Sequence, residues 1–408
     1  MTKQLIAGIL FLIILIVNFL LLKPNDIIYI DSVFKLDRLF ENPRSNIDVH
    51  LAAGSYELSG KNFIDNTCGN CENPDTPITG TKGLQISGKN IKLIGPENGR
   101  AIIKTNAGYG IYIKDCKNCL IENLVITAGI RDSSAFATNA AIVVKNSNVI
   151  IQNNLIHQNL GDSILISKNI VGIMGICGRE NSHLTIQNNE IIQNSWDAIA
   201  LYRDTEAIIE NNIIDGIRSV NLSFPNGGRG VGIGVTWNAK ATIKNNLVRR
   251  YWKGIGIFVD AEGVIENNVV ENMTTWGISL WNAGKGKPRG SIKNNIIYNC
   301  GAMGAAITSD TETNPGYFTE NIIVHTAQDS AYNSSDYYGY QCALAKHSIP
   351  ENFLIERNIF FDNLRANEDL PDYDISEEEF KEKMEINRVW IMSISNLEKS
   401  DFYRKFVE

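Results

Sequence analysis

Short runs of alternating apolar and polar residues fill most of this chain, and pairs of asparagines punctuate them. Ile151-Gln-Asn-Asn154 returns as Ile186-Gln-Asn-Asn189, Ile209-Glu-Asn-Asn212, Ile243-Lys-Asn-Asn246, Ile265-Glu-Asn-Asn268 and Ile292-Lys-Asn-Asn295, with looser copies ending at Asn123, Asn321 and Asn358. Two residues after the closing Asn stands Val, Ile or Phe, as in Ile156, Ile191, Ile214, Val248, Val270 and Ile297. Alternation with a period of two predicts strands, not helices. A second apolar run follows in each repeat: Ile164-Leu-Ile166, Ile199-Ala-Leu201, Val231 to Val235, Ile255 to Val259 and Ile278-Ser-Leu280. Each repeat therefore holds about three short strands separated by turns.

The closing Asn recurs at intervals of 22 to 37 residues. A constant floor with variable additions is the signature of a solenoid carrying loop insertions. One repeat is then one coil of a parallel β-helix, whose apolar faces are buried only against neighbouring coils. The Asn column has a structural explanation. Asn tolerates left-handed backbone angles and its amide bonds nearby backbone. Stacked at about 4.8 Å, such amides form a ladder.

From Asp48 to Asn363 the pattern resembles the right-handed parallel β-helix proteins of the pectin-lyase-like superfamily. The opening Ile47-Asp-Val-His-Leu-Ala-Ala-Gly-Ser-Tyr56, followed by Ile91-Lys-Leu-Ile-Gly95, is similar too. The resemblance implies an all-β, single-stranded, right-handed, three-sided solenoid. It also implies an acidic polysaccharide as partner, since many relatives cleave or epimerise uronates, often with Ca²⁺. The acidic motifs of polygalacturonase-type hydrolases are not recognisable here. Neither is the Asp-Pro-His-Asp motif of mannuronan epimerases. The expected function is binding, with lyase, epimerase or hydrolase chemistry. A non-catalytic carbohydrate-binding or surface-scaffold protein is the alternative.

The 408 residues divide on this reading into a cytoplasmic stub 1–4, a membrane span 5–22, a linker and N-terminal cap helix 23–47, the β-helix 48–363 and a C-terminal cap or tail 364–408. Leu5 to Leu22 is apolar except for Gly8 and Asn18. At about 1.5 Å per residue it just spans a bilayer. No small-residue cleavage site follows, which favours an uncleaved signal anchor over a cleaved signal peptide. Lys3 precedes the run, so the body is expected outside the cytoplasm, at the periplasmic or cell-surface side, with secretion as the alternative. Asp31 to Phe40 carries apolar residues at helical spacing, with Asp31 or Ser32 as N-cap. Ser376-Glu-Glu-Glu379 reads as a capping box before Phe380 and Met384.

Net charge is −7, with acids and bases interspersed. No basic run or basic–aromatic cluster occurs, so nucleic acid is not an expected partner. Cys68-Gly-Asn-Cys71 and Cys116-Lys-Asn-Cys119 together have the inventory of a four-thiolate zinc site. Their separation is long for a zinc ribbon, and export favours a disulfide-bridged N-terminal loop instead. Cys177, Cys300 and Cys342 read as buried small apolar groups.

Chemistry must come from outward faces and inserted loops. With Ile255, Ile257 and Val259 inward, Gly254, Gly256 and Phe258 face out. The neighbouring sets are Ala198, Ala200 and Tyr202; Gly230, Gly232 and Gly234; and Gly277, Ser279 and Trp281. Gly is disfavoured in strands unless something approaches the backbone closely. Insertions at 130–139 and 217–228 before this face, and at 167–182, 283–290 and 309–316 after it, would wall it into a groove. Its N-terminal edge presents Asp162, Asp197, Arg229, Lys253 and Trp276. The cations suit a uronate, and Lys253 is the candidate base, with Arg229, Asp197 and Asp162 completing the catalytic set. Tyr202, Trp237, Phe258, Trp276 and Trp281 offer surfaces for sugar rings. Asp204, Asp260 and Glu262 are candidate Ca²⁺ ligands.

Overall fold

The computed structural model describes residues 25–162, 164, 170–217, 229–309, 311–332, 341–364 and 374–408. The apolar run 5–22 and most of the 217–228 insertion lie outside the described residues. Among those described, no helix is long and apolar enough to cross a membrane. Each coil has three strands, as in Lys240–Lys244, Leu247–Arg249 and Lys253–Phe258, which stack in parallel on Glu262–Glu266, Val269–Glu271 and Trp276–Trp281 of the next. These stacks form three faces, called first, second and third in that order. The single antiparallel pair among the named strands joins Lys61–Asp65 to Ile78–Ile94. Inside runs one continuous core of stacked Ile, Leu and Val. One of its columns is Ile142, Ile176, Ile199, Ile233, Ile255 and Ile278.

The asparagine pair divides two tasks. Its first member takes the left-handed conformation: φ is 56° at Asn153, 56° at Asn245 and 55° at Asn294. The second turns inward and forms the ladder. Asn246 Nδ2 donates to Ile209 O at 2.9 Å, Lys244 O at 2.9 Å and Asn268 Oδ1 at 3.0 Å, while its Oδ1 accepts from Asn212 N at 3.0 Å. The ladder runs from Asn154 to Asn358. Asn123 is not part of it. With φ of 55° it occupies the first position, and Leu124 stands where the ladder Asn would be.

Two strand expectations need correction. The third-face strand of the coil after Asn154 is Met174–Arg179, and most of the expected Ile164–Ile166 strand lies outside the described residues. Arg179 therefore belongs to a strand and not to a loop. The third-face strands also break alternation near their starts. Residues 254 and 255 both turn inward there, because the chain bends into the corner between two faces. A Cβ on Gly175, Gly232, Gly254, Gly277 or Gly304 would lie 2.4–2.7 Å from the carbonyl oxygen of the adjacent coil, so a larger residue at these five positions would force the neighbouring coil to shift. Ala198 buries its methyl in the core at the equivalent place. Gly232, Gly254, Gly277 and Ala198 thus do not face outward, whereas Ala200, Gly234, Gly256 and Ser279 do.

Val33–Leu39 is helical, with Ser32 at its N-cap and Leu36 fully buried in the main core. The described part of the C-terminal segment begins at Asp374, which bridges to Phe360 of the last coil. Its helices, beginning with Glu377–Ile386, lie along the second face. Phe380, Met384, Ile391, Leu397 and Phe402 pack on the outward side chains of Leu247, Val269, Ile296 and Ile322. That face is apolar on both sides, and an uncovered one would expose a large apolar patch. Ser376 Oγ accepts from Glu379 N at 3.2 Å, capping the first of these helices. Glu271, wholly buried beneath them, accepts from Asp401 N at 2.8 Å and Phe402 N at 3.1 Å.

Candidate functional site

On the third face, in-register stacking puts small residues into one outward row: Ala200, Gly234, Gly256, Ser279, Ala306 and Ala345. This is the floor of a groove. The Phe258 ring folds back over it, since a Cβ on Gly256 would meet the ring at 2.1 Å. Beside the floor lies a cavity of about 170 Å³ lined by Asn70, Trp196, Asp197, Tyr202, Trp252 and Phe258, among others.

Lys253 stands on the row next to the floor, with its Nζ 3.7 Å from the ring centre of Trp276, 4.4 Å from that of Trp252 and 5.7 Å from that of Phe258. Burial in this aromatic setting pushes its ammonium pKa down to about 7. Asp197 is two coils away on the same row, with Val231 between them. That spacing is about 10 Å at the usual strand separation. Its Oδ1 accepts from Val231 N at 2.6 Å, yet burial raises its pKa to about 7. Two groups of opposite type thus titrate near neutrality along one groove.

Asp162 and Arg229 precede the strands of this face. Asp162 is exposed and its carboxylate accepts from Ile164 N at 2.9 Å. Arg229 precedes the strand register, donates to Ile170 O and lies 5.3 Å from the Trp196 ring centre. Among the proposed sugar-binding residues, Tyr202 and Trp276 are nearly buried, at 6% and 1% exposure. Trp281 remains partly exposed beside Trp276, ring centres 5.3 Å apart. Trp237 donates from Nε1 to Asn70 Oδ1 at 3.0 Å.

The proposed metal ligands do not converge. Asp260 accepts from Asn238 N at 2.7 Å, Asp204 accepts from the same residue's amide, and Glu262 stands on the first face opposite Lys240 and Arg289. Among the described residues no group of three or more His, Cys, Asp or Glu is placed to hold a metal. The zinc alternative is also corrected: Cys68 is bonded to Cys71 and Cys116 to Cys119, so no thiolate of either pair is available. Cys177, Cys300 and Cys342 are buried, and burial pushes each thiol up to about 12.

Sequence reasoning missed Trp196, Trp252 and the strap that carries Asn70. A signal was present for the first two, because Trp196-Asp197 and Trp252-Lys253 repeat an aromatic–charged pair at equivalent places. For the strap the sequence showed only its bridged cysteines and not its reach to the groove, whose contacts span more than a hundred residues. The strap follows Lys61–Asp65 and contains the Cys68–Cys71 bridge. Its tip reaches Trp237 through Asn70 and Lys285 through Glu72. Its root is held by Arg179, which is completely buried. Arg179 Nη1 lies 3.2 Å from Asp65 Oδ2, Nη2 donates to Thr67 O at 2.7 Å and Nε donates to Glu180 Oε2 at 2.6 Å. Arg179→Ala is expected to destabilise the protein by about 3–5 kcal/mol, because Asp65 would be left buried with less compensation. Thermal unfolding, together with faster proteolytic cutting between Thr67 and Thr76, checks this.

The chain belongs to the right-handed β-helix family: the family described as "right handed beta helix region" matches residues 56–218 and 174–347. Among solved structures, it is similar to an exopolygalacturonase from Thermotoga maritima, at 14% identity over 84% of this chain and 85% of that one, with a TM-score of 0.45. It is also similar to a polygalacturonase from Erwinia carotovora ssp. carotovora, at 13% identity over 82% and 97%, with a TM-score of 0.46. A third is PfbA, a surface adhesin of Streptococcus pneumoniae, at 13% identity over 78% and 69%, with a TM-score of 0.43. No curated protein shows significant sequence similarity to the chain.

Proposed function

We propose that this chain binds an acidic polysaccharide along the third-face groove and processes it by abstracting a proton from carbon, as a lyase or epimerase does. The observation that carries this reading is Lys253, buried between aromatic rings beside a floor of glycine and alanine, with a pKa of about 7. An amine that is half neutral near pH 7 is a competent base, and its charged fraction attracts a uronate carboxylate. Trp252, Phe258 and Trp281 offer flat apolar surfaces to sugar rings, and the small floor lets a ring approach the backbone. Asp197, substantially protonated near its pKa of about 7, is the candidate proton donor, acting on the neighbouring sugar because of its distance from Lys253. The two disulfides suit an oxidising compartment, consistent with residues 5–22 anchoring the body outside the cytoplasm.

A second reading, non-catalytic binding, is favoured by the two-coil separation of Asp197 from Lys253, which is too far for the two to exchange a proton directly. A panel of uronic-acid polymers separates the two, with absorbance of unsaturated products and sugar stereochemistry followed with and without Ca²⁺. Turnover should fall at least about 100-fold in Lys253→Ala while polymer binding survives. Binding without turnover in the parent protein would establish the second reading. Neither binding nor turnover on any polymer would sink both.

A further inference from the structure

Among the described residues, neither the C-terminal helices nor the strap is seen to pack on the first face. Its outward side chains form three rows. The middle row reads Ile150, Thr185, Ile208, Thr242, Val264, Ser291, Tyr317 and Leu354 in strand register. It leaves large aliphatic side chains in water: Ile150 is 37% exposed, Ile208 48% and Leu354 48%. A shallow trough of about 440 Å³ follows it past Thr185, Ile208, Thr242 and Val264.

Charged rows flank it on both sides. One carries Glu206, Lys240, Glu262 and Arg289 on successive coils, the other Glu210, Lys244, Glu266 and Lys293. Alternating sign within a row is what any stacked ladder requires, since like charges directly opposite repel. Lys244 and Glu266 indeed pair within the chain at 2.9 Å. The informative point is the phase: both rows read minus, plus, minus, plus in the same direction.

From this we infer that the first face is a dimer interface between two copies of this chain, related by a two-fold axis parallel to the strands. The axis passes between the Thr242 and Val264 coils. This operation reverses coil order and lays each row on itself. Lys240 then faces the second copy's Glu262, and Glu206 its Arg289. Lys244 faces Glu266, and Glu210 faces Lys293. The middle row closes with Thr242 on Val264, Ile208 on Ser291 and Ile150 on Leu354, which brings the exposed aliphatic ends together. An axis along the solenoid instead would set Glu206 against Glu210 and Lys240 against Lys244, which is repulsive. The charge pattern therefore selects one orientation, as an isologous interface requires. Eight coils at about 4.8 Å, each about five residues wide at about 3.3 Å, give roughly 600 Å² per copy. The pair then buries about 1,250 Å², at the lower end of the range for specific complexes.

Sedimentation velocity of the full chain in a mild detergent tests the interface, with the parent expected to double its mass as concentration rises. Lys240→Glu with Lys244→Glu should weaken dimerisation at least about tenfold. Adding Glu262→Lys and Glu266→Lys to the same chain swaps the charges and should restore it, which excludes simple misfolding as the cause of loss. Independently, Thr242→Cys combined with Val264→Cys should give an interchain disulfide on mild oxidation. A parent that stays monomeric at every concentration, as expected if this face takes a different partner, overturns the inference. So does a dimer indifferent to the charge reversal, or one in which the cysteines fail to cross-link. None of these readouts involves the third-face groove, so the outcome is independent of the proposed function.

Discussion

Lys253→Met is expected to yield a protein that is more stable than the parent and inactive. Lys253 is 6% exposed, and burial moves its pKa from 10.5 to about 7. The fold therefore disfavours the ammonium form. Below about pH 7 the amine is protonated in both folded and unfolded chains, and the full cost of burying the charge is present. Between about pH 7 and 10.5 the unfolded chain holds a proton that the folded one has released, so stability rises with pH. Above that range the cost is gone. The shift sets a ceiling of roughly 5 kcal/mol. Relaxation and water penetration reduce it, so about 2 kcal/mol is the expected gain for methionine near pH 6, shrinking to nearly nothing above about pH 10. Asp197 and Glu271 act with the opposite sign. Burial raises each to about 7, so their cost appears as pH climbs from about 4 towards 7. Because both remain in the variant, the difference between variant and parent isolates Lys253. Urea denaturation at acidic and alkaline pH measures it. A variant less stable than the parent at every pH would mean that attraction to the surrounding rings outweighs desolvation, and Lys253 would lose its standing as a base.

The second large effect is expected in the asparagine ladder, and it differs between the two members of a pair. Asn246→Ala removes the acceptor for Asn212 N and Asn212 Nδ2 and the donor for Ile209 O and Lys244 O, all inside the solenoid. Each buried group left unmet costs about 1–3 kcal/mol, so a loss of about 4 kcal/mol is expected. Asn245→Ala, one residue earlier, only removes the short amide that lets a residue with a Cβ tolerate the left-handed conformation, at about 1 kcal/mol, and Asn245→Gly should be close to neutral. Chemical denaturation of the three variants compares them directly. Equal losses at 245 and 246 would show that turn geometry, and not the ladder, gives the asparagines their weight.

The coil strands were legible in the sequence because their cause is local. An alternating run such as Lys240–Lys244 has one apolar side whichever coil it stacks on, and an Asn-Asn turn has the same backbone needs in every repeat. The Met174–Arg179 strand was not legible, because an earlier apolar run, Ile164–Ile166, mimics it and only pairing with Ala140–Lys145 and Ile199–Leu201 distinguishes them. Similarly, Gly254 and Gly256 are both glycines in one strand, yet one fills a corner inside the core and the other lies on the groove floor. Alternation assigns them alike, and the bend between two faces separates them.

The sequence alone determined a stacked solenoid, its asparagine turns, the helix at Val33–Leu39 and the row of small residues beneath a groove. These follow from periodicity and from turn chemistry, which act over a few residues at a time. Tertiary structure decided which charged residues share that groove. Asp197 and Lys253 fall on one row because coils of unequal length stack in register, whereas Asp162 and Arg229 lie before the strands, the first bonding the backbone of Ile164 and the second packing over Trp196. Tertiary structure also decided that Arg179 anchors a strap and that the C-terminal helices cover the second face. Both depend on contacts between residues more than a hundred positions apart, and side-chain burial, which sets the pKa values of Lys253 and Asp197, exists only once those contacts form.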